Sequence, residues 1–290
     1  MRLACIDVGS NTTRLLVADT VPGGLQDVLN ERAFTLIGRS LGDSRRIPPE
    51  KLEETAAVVA AQAERARELG ADRIRAVATA AIRRAENARD LVDAIEREAG
   101  LPLEVLQGEE EARLAFRGAA RAAGVLGTLA VIDVGGGSTE IAIGTAGEDV
   151  LRAESIPVGS SVLAERHLVA DPPRAAELEA VRDEVSAAFE RFDPPAVDHA
   201  VAVGGSASSL LHLAGVELGP AELARALDEL CAERAEVLAS RVSLDPIRVR
   251  LLPAGVLVLA ELASRLQRPL RICKGGLREG VIMEMMGTPE

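Results

Sequence analysis

The apolar positions fall into short runs of strand length and longer runs with helical spacing, and the order of the two kinds repeats. Strands are expected at 2–8, 12–19 and 25–37. A helix follows over 50–69, opened by Pro48-Pro49 and stopped by Gly70. Residues 73–78 form a strand, 91–99 a helix closed by Gly100, 103–106 a strand, and 108–123 a helix. After a glycine-bearing boundary at 124–128 the opening returns, with strands at 129–134, 139–144 and 149–158 and helices at 160–168 and 175–192. A strand at 197–203 runs into a helix from 206 to 214. Helical stretches at 220–240 and 246–267, a strand at 270–273 and a helix at 276–286 complete the chain. Three strands, helix, strand, helix, strand, helix, given twice, is α/β organisation with a mixed sheet in each half. The expected domains are 1–124 and 125–290.

The repeat extends to wording. Asp7-Val8-Gly9-Ser10-Asn11-Thr12-Thr13-Arg14 returns as Asp133-Val134-Gly135-Gly136-Gly137-Ser138-Thr139-Glu140. In each copy an apolar strand ends in Asp, turns through small residues and re-enters a strand through a hydroxyl. Loops without bulk let backbone N–H groups approach a phosphate, and an Asp at the strand end can hold a hydrated divalent cation or orient a water. The last position is Arg14 in one copy and Glu140 in the other. An arginine fork clamps phosphate oxygens, whereas a carboxylate beside phosphate needs a cation between them. Asp133 and Glu140 therefore suggest Mg²⁺ held partly through water. A salt bridge between Arg14 and Glu140 is the alternative.

Three acids, Glu109, Glu110 and Glu111, open the helix after Gly108. They suit a helix N-terminus without further purpose. Helical spacing nevertheless separates them: Glu109 and Glu110 reach Arg113, while Glu111 faces Leu114, Ala115 and Gly118 with no cation near in sequence. A carboxylate turned toward a packed face is a candidate general base; base and helix cap both stay open. Gly204-Gly205-Ser206 joins a strand to a helix and can present amides to an anion, or be a tight connection and no more. Arg248 and Arg250 start a long helix, either reaching a cleft or lying on the surface.

Composition narrows the chemistry. The net charge is −12, and aromatics make up 1% of the 290 residues, with no Trp or Tyr. A nucleic-acid or membrane surface is thus not the expected partner, and a bound polyanion has to be gripped locally. Cys5, Cys231 and Cys273 lack CxxC spacing, and His167, His199 and His212 are scattered, so zinc chemistry is not expected. No apolar run approaches membrane-spanning length, and a cytoplasmic location is expected.

In this order, the two loops, Ala78-Thr79 with Ile82-Arg83-Arg84-Ala85, Glu109 to Arg113, Ala202 to Ser206, Leu252 to Gly255 and Gly276 to Gly280 resemble the exopolyphosphatase / guanosine pentaphosphate phosphohydrolase (Ppx/GppA) family of the actin-like ATPase superfamily. The resemblance implies two ribonuclease-H-like lobes with mixed five-stranded sheets around an interdomain cleft, and Mg²⁺-dependent hydrolysis of a terminal phosphoanhydride. It places Glu111 as the catalytic glutamate and Asp133 and Glu140 at metal and phosphate. Asp7, Gly9, Ser10, Asn11, Thr12, Thr13, Arg14, Gly135, Gly136, Gly137, Ser138, Thr139, Gly204, Gly205, Ser206 and Arg248 fall at substrate. Inorganic polyphosphate is the expected substrate and guanosine pentaphosphate (pppGpp) the alternative; a nucleotide sensor or kinase of the same superfamily is the reading from another class. The chain departs from the family pattern at 215–220, which is short, at Cys273 and at Val249-Arg250. It lacks the C-terminal helical domains of the longest members, so any elongated channel is expected either to come from dimerisation or to be absent, and a homodimer is expected.

Overall fold

The computed structural model describes residues 1–42, 44–147 and 150–287. In chain order its elements are β1 (Arg2–Val8), β2 (Thr12–Val21), β3 (Gly24–Phe34), α1 (Ile37–Ser40), α2 (Pro49–Glu68), β4 (Arg73–Ala78), α3 (Ala80–Arg84), α4 (Ala88–Ala99), β5 (Leu103–Val105) and α5 (Gly108–Ala123). There follow β6 (Thr128–Val134), β7 (Thr139–Thr145), β8 (Val150–Ile156), α6 (Ser160–His167), α7 (Ala175–Ala188), β9 (His199–Val203) and α8 (Gly204–Leu210). The last are β10 (Glu217–Leu218), α9 (Pro220–Ala232), α10 (Ala235–Val242), α11 (Pro246–Leu266), β11 (Leu270–Ile272) and α12 (Leu277–Gly287).

The chain divides into two compact units, Met1–Arg121 with Gly276–Glu290, and Ala122–Gly275. Against the expected 1–124 and 125–290, α12 returns to the first unit. The first sheet has the order β3-β2-β1-β4-β5, with β1, β2 and β3 antiparallel and β4 and β5 parallel to β1. The second repeats it as β8-β7-β6-β9-β11 and adds β10, antiparallel at the edge beyond β11. The second sheet thus has six strands where five are expected, the extra one lying in the short 215–220 segment.

Both faces of the first sheet are covered, so its central strand is apolar on both. Ala4, Ile6 and Val8 of β1 join the core that contains residues of α2 and α4, while Leu3 and Cys5 join Leu114 of α5 and Leu277, Val281, Ile282 and Met285 of α12. The second unit has one core, filled by Leu, Val, Ile and Ala around α11, with Phe189 and Phe192 in edge contact. Small elements depart from the pattern-based expectation. The strand predicted to run to residue 37 ends at Phe34 and gives way to α1, α3 follows β4 directly, and the helix expected over 220–240 breaks into α9 and α10. Asp149, where the third strand of the second half is expected to begin, lies outside the described residues.

The return of α12 rests on glycine. A Cβ on Gly280 would lie 1.9 Å from the Leu114 carbonyl oxygen, and one on Gly118 would lie 2.1 Å from that of Gly276. Only two bare backbones allow α5 and α12 to touch at this depth. Polar contacts to the sheet also hold α12: Arg75 of β4 forms ion pairs with Glu104 of β5 and Glu284 of α12, and Arg278 donates to the side-chain oxygen of Asn30 in β3 at 2.9 Å. Gly280→Ala must push backbone from backbone, and overpacking of this kind typically costs about 1–3 kcal/mol. A urea titration should show a loss of about 2 kcal/mol or more, with near-normal stability refuting the crossing.

Candidate active site

The site begins with hairpin geometry. Opposite residues of an antiparallel pair share a face, and the registers set Asp7 against Arg14 and Asp133 against Glu140. Each turn closes in the same way: Gly9 N–H donates to the Thr12 carbonyl at 3.0 Å, and Gly135 N–H to that of Ser138 at 3.0 Å. A Cβ on either glycine would meet that oxygen at 3.1 Å.

A second contact orients the turns. In the first unit the chain entering α1 donates to the loop, from Leu36 N–H to the Asn11 carbonyl at 3.0 Å and from Gly38 N–H to that of Ser10 at 2.7 Å. In the second, the start of α6 does the same, Ser160 to Gly135 at 2.9 Å and Ser161 to Gly136 at 3.0 Å. A trans peptide points its C=O and the next N–H in opposite directions. Drawing these carbonyls toward the helices therefore turns the amides of Asn11, Thr12, Gly136 and Gly137 the other way. Those of Gly136 and Gly137 meet no acceptor among the described residues. The approach again needs glycine, since a Cβ on Gly38 would come within 2.9 Å of Ser10 Cβ, and one on Gly159 within 2.5 Å of the Gly136 carbonyl carbon. Neither glycine was singled out from the sequence; the signal available was a glycine following the third strand in both halves.

Not every expected contact residue faces a ligand. Thr13 and Thr139 are fully buried, and their hydroxyls are spent on the same docking, Thr13 with Thr35 at 3.2 Å and Thr139 to the Val158 carbonyl at 2.6 Å. Ser206 is buried and donates to the Val134 carbonyl at 2.9 Å. In this structure the three hydroxyls hold the loops. Ser10, Thr12 and Ser138 are also largely buried, and Thr12 Oγ1 accepts from Arg14 Nε at 3.2 Å.

Gly204 and Gly205 open α8 in the second unit. Gly204 has φ +79°, and a Cβ there would fall 2.0 Å from Asp133 Oδ1. Glycine is required because the Asp133 carboxylate lies against its backbone. Glu140 is buried and accepts from Ser155 Oγ at 2.7 Å. Arg248, in the first turn of α11, is buried, which removes the surface alternative. Arg250 instead ties its own unit together, donating to the Val169 carbonyl at 2.8 Å with Asp171 at 3.6 Å.

Glu111 is 8% exposed in the first turn of α5. No cation lies near it in sequence, but the fold supplies one: Arg83, at the end of α3, places Nη1 3.0 Å from Glu111 Oε2 and donates to the Leu106 carbonyl at 2.8 Å. A buried carboxylate held beside a guanidinium keeps a fixed position and a counter-charge. Sequence spacing could not show this, because the partner sits 28 positions upstream.

Asp7 differs from Asp133. Its Oδ1 is buried and makes no hydrogen bond among the described residues. Burial lifts its carboxyl above the usual carboxylate range, against the opposing pull of Arg14 and Arg278. The donor set of the second hairpin fits a hydrated divalent cation. Two carboxylates face each other across a strand pair, where like charges repel, and Mg²⁺ is commonly bound by one or two carboxylates together with water and phosphate oxygens. Among the described residues no cluster of three or more His, Cys, Asp or Glu forms a closed metal cage.

Twin phosphate-type hairpins on two mixed sheets, with a buried acid on a neighbouring helix, define a phosphate-processing α/β protein. The Ppx/GppA phosphatase family matches residues 16–289, and the chain belongs to that family. Exopolyphosphatase 1 of Mycobacterium tuberculosis is 31% identical over an alignment covering 99% of this chain and 89% of the relative. Exopolyphosphatase 2 of the same organism is 30% identical, covering 99% of both chains. A crystal structure of an Aquifex aeolicus Ppx/GppA family member superposes with a TM-score of 0.84 at 29% identity, covering 99% and 97% of the two chains. The enzyme class is phosphatase. No helix among the described residues is long and apolar enough to cross a membrane.

The state of Asp7 has a measurable consequence. A carboxyl whose folded value is raised favours folding most below the ordinary carboxylate value near 3.8 and loses that contribution as pH climbs through the folded value. At neutral pH the ionised form is therefore a burden on stability. Asp7→Asn should unfold at higher urea than the parent at pH 7 to 8, with the gain shrinking as pH falls toward 4. An equal or lower midpoint at pH 8 would show that the carboxylate is not penalised by its site.

Proposed function

We propose that the protein is an exopolyphosphatase that releases orthophosphate from the end of inorganic polyphosphate, with Mg²⁺ as cofactor. The observation that carries the reading is the matched pair of hairpins, each with its carbonyls tied back and its amides turned outward. In this reading both loops serve one substrate, with Arg14, Arg248 and the loop amides taking phosphate oxygens. Asp133 and Glu140 would hold Mg²⁺, whose charge offsets that of the phosphates. Glu111 accepts a proton from a water whose oxygen bonds the terminal phosphorus. The bond to the bridging oxygen breaks, and that oxygen leaves on the shortened chain. The main contribution comes from donors fixed before the reaction, at the oxygens where charge develops. Solvent exclusion around a largely buried base strengthens the same interactions.

Composition supports an inorganic chain over a nucleotide. Of the four phenylalanines, Phe116, Phe189 and Phe192 are buried in the cores, and Phe34 is covered by Arg32 at 4.9 Å. No tyrosine or tryptophan exists to stack on guanine. The relatives named exopolyphosphatase support the same substrate class. Phosphate release measured side by side from polyphosphate, guanosine pentaphosphate and ATP, with and without Mg²⁺, tests the proposal. Polyphosphate should be the best substrate, and chelation should abolish turnover. Preference for guanosine pentaphosphate would move the enzyme to the nucleotide branch, and turnover of ATP alone would point to a kinase or ATPase.

The base is tested separately. Glu111→Gln keeps the shape and a hydrogen-bond acceptor for Arg83 but removes the basic site. General-base catalysis typically contributes about 10²–10⁴ in rate, so kcat should fall at least about 100-fold with an unchanged far-UV spectrum. Turnover within a few-fold of the parent would retire Glu111 from this role.

A further inference from the structure

A groove enclosing about 470 Å³ lies along the C-terminal half of α11 in the second unit. None of its lining residues belongs to the site described above, and Ala260 in its wall is about 18 Å along the helix axis from Arg248, at 1.5 Å per residue. The sequence explains the space. Helical spacing puts Leu223 and Leu227 on one stripe of α9, and Val256, Ala260 and Ala263 on one stripe of α11. α11 packs against both α7 and α9. Where a leucine would bridge the helices, Ala260 and Ala263 offer a single carbon each, and the apolar walls stay apart. Beyond the left-handed turn at Gln267, with φ 52°, Arg268 and Pro269 line the end of the groove.

Charge selects the occupant. The charged side chains lining the groove are Arg182 of α7 and Arg268, with no Asp or Glu among the described lining residues. The chain as a whole has 45 acids against 33 Lys and Arg, so this local balance runs against the rest of the surface. Both arginines are exposed. Arg182 meets the Glu179 carboxylate at 4.0 Å, beyond hydrogen-bond reach. Arg268 donates from Nε to the Val197 carbonyl at 2.9 Å and forms no ion pair among the described residues. The adjacent acid, Asp198, is held by the N–H and hydroxyl of Thr128 at 2.9 and 2.8 Å. Small-molecule sites typically enclose about 300–1,000 Å³ behind apolar walls with a few placed polar groups. Apolar walls with two guanidinium groups at the mouth match an alkyl body with an anionic head. A second copy of a chain carrying −12 would bring like charge instead.

We propose that this groove binds a single-chain amphipathic anion, a medium-chain carboxylate whose alkyl tail lies between α9 and α11 and whose head meets Arg182 and Arg268. The inference stands apart from the hydrolytic site and does not depend on which phosphoanhydride is cleaved there.

The test is calorimetric titration of the full chain with hexanoate, octanoate and decanoate, with 1-octanol as the neutral counterpart. Binding should saturate at one molecule per chain, and Kd should fall about three- to fourfold per added methylene. Arg182→Gln/Arg268→Gln should weaken octanoate about threefold or more and flatten its salt dependence, leaving 1-octanol within about twofold. Ala260→Leu fills the groove from α11 and should weaken every alkyl ligand about tenfold or more. Ala224→Leu fills it from the exposed side of α9 and should do the same, so the result does not rest on one variant folding. Both fillings should keep the far-UV spectrum of the parent. Absence of saturable decanoate binding, a Kd indifferent to chain length, or unchanged binding in the filled or arginine-free variants would overturn the site. Sedimentation supplies the rival outcome: a dimer that Ala260→Leu dissociates, in a protein that takes up no decanoate, would give the groove to a second copy.

Discussion

The loops depend on one recurring interaction, the docking of the segment after each third strand onto the carbonyls of the first hairpin in its unit. A small-residue turn left to itself samples many conformations, and glycine gives up more freedom than any other residue when it is ordered. Bonds from Leu36 and Gly38 in one unit, and from Ser160 and Ser161 in the other, remove that freedom. They also decide which way the peptide planes face. The buried hydroxyls of Thr13 and Thr139 and the missing side chains of Gly38 and Gly159 serve that docking. An anion site made of backbone amides works only if the amides are oriented before the ligand arrives, and here the orientation is built from behind.

Charge is managed around this frame at short range. A protein with net charge −12 attracts a polyanion poorly as a whole, so attraction must come from groups within a few ångströms. Arginines supply it in the first unit, where Asp7 faces Arg14 and Glu111 faces Arg83. In the second unit the corresponding pair is Asp133 and Glu140, the two acids that the proposed reading assigns to Mg²⁺. Between the two hairpins the strand-end Asp is kept, while the residue opposite it is Arg14 in one and Glu140 in the other. That division suits chemistry in which the charge of a phosphate chain must be neutralised while a water is kept reactive.

Much of this was legible in the chain. The doubled strand pattern, the two hairpins and the acid at 111 stand out because each is local, set by residues close in sequence. What stayed hidden is long-range. The pairing of Arg83 with Glu111, the docking of Gly38 and Gly159, and the inward hydroxyls of Thr13, Thr139 and Ser206 join positions far apart, and no periodicity announces them. The short elements α1, α3 and β10 were missed because four, five and two residues are too few to establish a period. The return of α12 to the first unit follows from bare backbones at Gly118 and Gly280, a meaning that a glycine shows only once its neighbour in space is known.

Amide shifts in a ¹⁵N–¹H spectrum, recorded on the Glu111→Gln protein as tripolyphosphate is added with Mg²⁺, report on the loops themselves. On the proposed reading, signals of Asn11, Thr12, Gly136 and Gly137 should move together, with one shared midpoint. Saturation of the protein with these four amides unmoved, or with only one hairpin responding, would take the paired loops out of the binding site.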